Sequence, residues 1–276
     1  MKVQYNKQYS QHLQREMEWK QYGDEGQGVL VFPSQDQRFY EWEDNGMIDV
    51  LSPMIEQGKF HLICCDSIDR ETWSVVNERV DAAYREGRQP ESVSYRQLIE
   101  QHERWFRYIT EELIPTVNGG RRLLVTGCSM GGYHAANTFF RCPELFDGLI
   151  SLSGLFHADY FFPGFDNTGI AHHIPDQCIA NDLDEAAPLI RRNSPLHYLH
   201  NALLAQKTII LCCGQGNYER VTLPSTERLG DLLAQKGISA WVDVWGKDVS
   251  HDFYWWRKQA AYFFDKLFNQ QAKAAA

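Results

Sequence analysis

The 276-residue sequence contains no Cys-x-x-Cys pair and no His-x-x-x-His pair, so the ligand spacings of common zinc sites are missing. No apolar run approaches the roughly 18 residues that a membrane-spanning helix needs, so no membrane partner is expected. The opening "MKVQYNKQYSQHLQREM" lacks the apolar stretch of a secretory signal, which leads to the expectation of a cytoplasmic protein. Positive charge is in deficit: 27 Lys and Arg stand against 36 Asp and Glu, a net charge of −9. That balance repels nucleic acid and anionic lipid, so neither is an expected partner. With no low-complexity tract, internal repeat or Gly/Ser/Pro linker, residues 1–276 read as one domain.

The seven cysteines sit mostly in apolar runs such as "FHLICCDS" and "TIILCCG". Adjacent cysteines on a strand face opposite ways and do not readily bridge, so reduced, buried thiols are expected.

Short apolar runs recur instead: "VLVF" (29–32), "FHLICC" (60–65), "RLLVT" (122–126), "GLISLS" (148–153), "TIILCC" (208–213) and "AWVDVW" (240–245). Runs of this length, bounded by Gly, Pro, Asp or Ser, read as strands buried on both faces of a parallel sheet. An earlier half-exposed strand is suggested by the shared parity of Leu13, Met17 and Trp19 ahead of the turn "GDEGQG". Helical spacing appears in 94–114, which is expected to stop before Pro115, and again in 253–268. The alternation predicts a doubly wound α/β fold, a mostly parallel central sheet with helices on both faces. Residues 155–195 break this rhythm with aromatics, Gly, Pro and paired histidines, and read as a lid-like insertion.

The stretch "RLLVTGCSMGGYHAANTFF" (122–140) brackets Ser129 with Gly127 and Gly131. A Gly-x-Ser-x-Gly match arises by chance about 0.1 times in a chain of this length, so its context matters more than the match. A buried strand leads in and a helix leads out, the setting of a nucleophile on a strained turn where neighbouring side chains must be small. The helix aims its first N–H groups at the serine, and the Met130 N–H is placed to donate to an oxyanion. The competing reading is a helix N-cap serine with packing glycines.

A nucleophilic serine needs a base and an orienting acid, which in this fold class follow in the order Ser, acid, His. His251, in "WGKDVSHDFYWWRK", lies between the last strand and the terminal helix, where the base belongs. The acid belongs after the preceding strand, in "CCGQGNYERVTLP". Asn217 is an amide there, so Glu219 is the candidate, with Asp248 as its competitor. The second oxyanion donor belongs to the loop "VLVFPSQDQRFYEWED". Pro33 has no N–H, which leaves Ser34 or Gln35, and the Gln35 backbone is favoured.

Five segments, "VLVFPSQDQRFYEWED", "LICCDSIDRETW", "TGCSMGGYHAAN", "RNSPLHYL" and "VWGKDVSHDFYWWR", resemble the "putative esterase" family of α/β-hydrolases, the group with esterase D-like and mycolyltransferase-like members. They cover most of residues 28–257 in the family's order. The resemblance implies an α/β-hydrolase fold, a small-molecule ester substrate, and catalytic roles for Ser129, Glu219 and His251, with no cofactor. Asn217 departs from relatives that carry aspartate near that place.

Asp66 and Trp73 follow the second apolar run and are candidates to line the substrate pocket, with loop packing as the alternative. Phe156 and Tyr160, with Phe161, Phe162 and Phe165, are candidates for an apolar lid or for a subunit contact in a homo-oligomer. Trp255 and Trp256 read as packing beneath the terminal helix, one of them buttressing His251. His172 and His173 read as a solvated loop pair, with no metal. The expected activity is a serine carboxylesterase. Its rivals are an acyltransferase with the same triad and a binding protein on a hydrolase fold.

Overall fold

A computed structural model describes residues 1–75, 82–83, 85–87, 93–158 and 182–270. Its strands are β1 (Val3–Ser10), β2 (Arg15–Tyr22), β3 (Gln27–Phe32), β4 (Phe60–Cys65), β5 (Leu123–Cys128), β6 (Phe146–Leu152), β7 (Thr208–Cys213) and β8 (Trp241–Val244). The principal helices are α1 (Met47–Glu56), α2 (Tyr95–Arg107), α3 (Met130–Arg141), α4 (Leu183–Arg192), α5 (Thr222–Gln235) and α6 (Phe253–Asp265).

The eight strands form one sheet in the order β1-β2-β4-β3-β5-β6-β7-β8. Strands β4 through β8 pair in parallel, while β1 and β2 add antiparallel strands at one edge. Side chains alternate strictly across it. Leu30 and Phe32 enter a core shared with α2, α3 and α5, whereas Val29 and Val31 enter a second core shared with α1 and α6. Every residue of β4 and β5 is buried, as period-2 strands covered on both faces must be. Cys65 and Cys64 divide between the two cores in the same way, and the six described cysteines are free. Among the described residues no helix is long and apolar enough to cross a membrane.

Three expectations change. The early strand is a hairpin, β1 with β2, and Leu13 sits in its turn rather than in a strand. Strand β1, "VQYNKQYS", is an edge with one exposed face, so it lacks the apolar run that marks the inner strands. The helix that begins at Tyr95 also continues past Pro115. It widens into a π-turn at Tyr108–Leu113 and resumes at Ile114–Val117 with Pro115 in its first turn. Wider i→i+5 bonding shifts the carbonyls that a proline ring meets in a regular helix, so the break is absorbed. Finally, β8 is an exposed edge strand, with Trp241 and Val242 each 37% exposed, rather than one buried on both faces.

Parallel strands deliver their carboxyl ends to one edge of the sheet. The segments after β3, β5, β6 and β7 therefore converge there, at the crevice typical of such sheets. Of the lid expectation for 155–195, residues 159–181, with Tyr160, Phe161, Phe162, Phe165, His172 and His173, lie outside the described residues. Residues 155–158 continue from β6, and 183–192 form α4.

Candidate active site

Ser129 ends the turn between β5 and α3 with φ 56° and ψ −122°, a backbone region that a side chain ordinarily avoids. Close packing enforces the turn. A Cβ on Gly127 would stand 2.4 Å from the Gly131 backbone, and one on Gly131 would stand 2.3 Å from the Phe32 carbonyl oxygen. Both positions therefore require glycine, and β3, β5 and α3 meet backbone to backbone behind the serine. The Ser129 N–H donates to Leu152 O at 2.9 Å and its carbonyl accepts from Tyr133 N at 3.1 Å. Its side chain is left facing the crevice.

His251 Nε2 lies 2.8 Å from Ser129 Oγ. The loop that carries His251 is zipped to the loop after β7: Gly216 N donates to Val249 O at 2.8 Å, and His251 N donates to Asn217 O at 3.0 Å. Asn217 thus contributes its main chain to the site. Glu219 is 1% exposed, and its Oε2 lies 3.4 Å from His251 Nδ1. That is ion-pair range, without a directed hydrogen bond to Nδ1. Ser153 donates to Glu219 Oε1 at 2.6 Å, and the Thr222 hydroxyl donates to Oε2. Burial pushes the Glu219 carboxyl up, but His251, Ser153 and Thr222 outweigh it and hold the group below the usual carboxylate range. Asp248 is exposed, and it is Glu219 that the fold brings to His251.

Met130 and Gln35 line the same cavity as Ser129. Met130 opens α3, where unpaired N–H groups favour negative charge. In the loop after β3 the Ser34 N–H is taken by Glu41 Oε2 at 2.8 Å, so Gln35 supplies the next N–H along. This loop is pinned at several points. Gln35 Nε2 donates to Ser74 Oγ at 2.8 Å, Ser74 Oγ donates to Asp36 Oδ1 at 2.5 Å, and Ser34 Oγ donates to Cys128 O at 3.2 Å.

A cavity of about 320 Å³ opens over Ser129, with Gln35, Met130, Ser153 and His251 around it. Leu155, Tyr218, Val221 and Thr222 complete the lining, with no Lys, Arg, Asp or Glu among the described residues. Sequence reasoning missed Ser153, Leu155, Tyr218, Val221 and Thr222. The available signal was their place just beyond the ends of parallel strands.

The expected pocket residues Asp66, Trp73 and Phe156 are elsewhere. Asp66 accepts from Arg38 Nε at 2.7 Å and Phe39 N at 3.1 Å, and it lines a separate polar cavity of about 280 Å³. Trp73 is buried with its indole N–H donating to His102 Nδ1 at 3.1 Å. Phe156 is fully buried in the main core. None of the three lines the cavity over Ser129. Trp256 packs edge-on against His251, ring centroids 4.8 Å apart. Among the described residues no cluster of His, Cys, Asp or Glu is arranged to hold a metal ion.

A mostly parallel sheet with a serine–histidine pair at its carboxyl edge is the frame of the α/β serine hydrolases. Residues 10–267 match the family described as "Putative esterase", and the chain belongs to that family, whose enzymes act on ester bonds. Among solved structures it is similar to MPT51 of Mycobacterium tuberculosis, with TM-score 0.67, 13% identity, and 98% of each chain covered. A ferulic acid esterase aligns with TM-score 0.64 and 14% identity over 97% of both chains. An S-formylglutathione hydrolase from Staphylococcus aureus aligns with TM-score 0.62 and 12% identity over 95% of this chain and 96% of that one. At these identities the solved structures establish the shared fold. No curated protein matches in sequence.

Proposed function

We propose that the protein is a serine carboxylesterase working through an acyl-enzyme, with Ser129, His251 and Glu219 as its triad. His251 Nε2 takes the Ser129 hydroxyl proton as Oγ attacks the ester carbonyl. The oxyanion of the tetrahedral intermediate accepts hydrogen bonds from the Met130 and Gln35 N–H groups. Glu219 stabilises the imidazolium, which then protonates the leaving alcohol. Water attacks the acyl-serine with His251 again as base, releasing the acid and restoring Ser129.

The contact that carries this reading is the 2.8 Å Ser129–His251 bond at a serine with φ 56°. Apart from His251 the described lining has no ionisable side chain except the Tyr218 phenol, which suits an uncharged acyl group. The names of two similar structures, a ferulic acid esterase and an S-formylglutathione hydrolase, also support ester-type substrates. Hydrolysis of p-nitrophenyl acetate tests the proposal. Ser129→Ala is expected to lower kcat by about 10⁴-fold or more, and an unchanged rate overturns the assignment.

A further inference from the structure

Behind the proposed triad lies a hydrogen-bonded chain that ester chemistry does not require and that no residue motif announces. Trp256, on the first turn of α6, donates its indole N–H to Ser153 Oγ at 3.1 Å. Ser153, immediately after β6, donates in turn to Glu219 Oε1 at 2.6 Å. Ser153 is fully buried and Trp256 is 5% exposed, so water does not substitute freely for either bond. The direction of the chain follows from the donors available. An indole nitrogen only donates, so the Ser153 oxygen must accept from it. The single Ser153 proton then goes to the carboxylate.

The backbone is set for this arrangement. Ser153 has φ 50°, a conformation unfavourable for a residue with a Cβ, and its N–H is anchored to Cys212 O at 2.6 Å. Strand β7, which leads to Glu219, pairs with β6, so the end of β6 lies beside the start of that loop. The same Trp256 ring that points its N–H at Ser153 stands edge-on to His251. One side chain thus touches the base and, through Ser153, the acid.

We propose that Ser153 and Trp256 are positioning residues that act through Glu219. They hold its carboxylate at His251 Nδ1 while Trp256 fixes the plane of the imidazole. The proposal rests on the triad reading above. With Oε1 occupied by Ser153, Oε2 is the oxygen turned toward His251, at 3.4 Å. The Thr222 hydroxyl also donates to that oxygen. When the imidazolium forms, this short gap closes without the carboxylate having to search for its orientation.

A double-mutant cycle tests the idea with an uncharged p-nitrophenyl ester. Ser153→Ala removes a hydrogen bond to a charged group and is expected to lower kcat about 10- to 100-fold with KM within about twofold. Trp256→Phe keeps the ring but loses the N–H, and is expected to lower kcat about three- to tenfold. In a Glu219→Ala background, whose residual activity comes from the remaining machinery, each substitution is expected to add less than about twofold. Ser153→Gly, which accommodates φ 50° without a side chain, serves if Ser153→Ala fails to fold. Full losses persisting in the Glu219→Ala background, or no loss in the parent enzyme, overturn the proposal. If Glu219→Ala itself costs nothing, it is the triad reading that fails, a separately visible outcome.

Discussion

Ser129 Oγ and His251 Nε2 meet at 2.8 Å although 122 residues separate them. The meeting is a product of sheet order. Strand β5 delivers the serine, and β7 and β8 are the second and third strands along from it. The loop after β8 folds back onto the loop after β7 through the Gly216–Val249 and His251–Asn217 hydrogen bonds. Backbone hydrogen bonds therefore set the distance between His251 and Ser129, as a preorganised site would require.

The acid assignment separates two carboxylates. Glu219→Gln keeps the shape and loses the charge, and is expected to lower kcat by about 10²- to 10⁴-fold. Asp248→Asn, at an exposed position, is expected to leave kcat within about twofold. Steady-state kinetics on both variants decide it, and the reverse pattern places the acid at Asp248.

The proposed oxyanion role of Gln35 has a main-chain test. Gln35→Ala keeps the backbone N–H and loses only the side-chain bond to Ser74, so activity is expected within about tenfold of the parent. Gln35→Pro deletes the N–H and is expected to lower kcat by about 10²- to 10³-fold with little change in KM. Equal effects of the two substitutions would show that Gln35 does not donate through its backbone.

Much of the sheet was legible because its inner strands are buried on both faces and so read as unbroken apolar runs. β4 and β7 coincide with "FHLICC" and "TIILCC". β1 was invisible for the opposite reason, since an edge strand with one wet face alternates polar residues that loops also use. Pro115 misled because a π-turn beside it relieves the clash that ordinarily ends a helix. At the site, Ser129 and His251 announce themselves by motif and chain order, whereas pocket-lining residues depend on how loops turn after the strands. Asp66 and Trp73 follow β4 as expected, yet Asp66 pairs with Arg38 beside a separate polar cavity and Trp73 is buried with its N–H on His102. Ser153 was the last residue of an apolar run, and only the fold shows that its hydroxyl reaches Glu219.

Glu41 predicts a pH-dependent stability. It is 4% exposed, accepts from the Ser34 N–H in the loop after β3, and burial pushes its carboxyl up to about 7 from an ordinary value of 4.5. The folded protein then binds this proton more tightly than the unfolded chain does. Its contribution to stability is therefore greatest below pH 4.5 and falls as pH rises toward and through 7. Chemical denaturation of the parent and Glu41→Gln between pH 5 and 8 is expected to show the difference moving in the variant's favour by on the order of 3 kcal/mol. A difference that stays constant with pH contradicts this.

The central claim, that Ser129 is a nucleophile activated by His251, is tested most directly by intact-protein mass spectrometry after brief exposure to a fluorophosphonate. One stoichiometric adduct is expected, mapping to Ser129 in the peptide "GCSMGG". It is expected to be absent in Ser129→Ala and slowed at least about 10²-fold in His251→Ala. An unlabelled Ser129 in folded protein, under conditions that label a control esterase, contradicts the account.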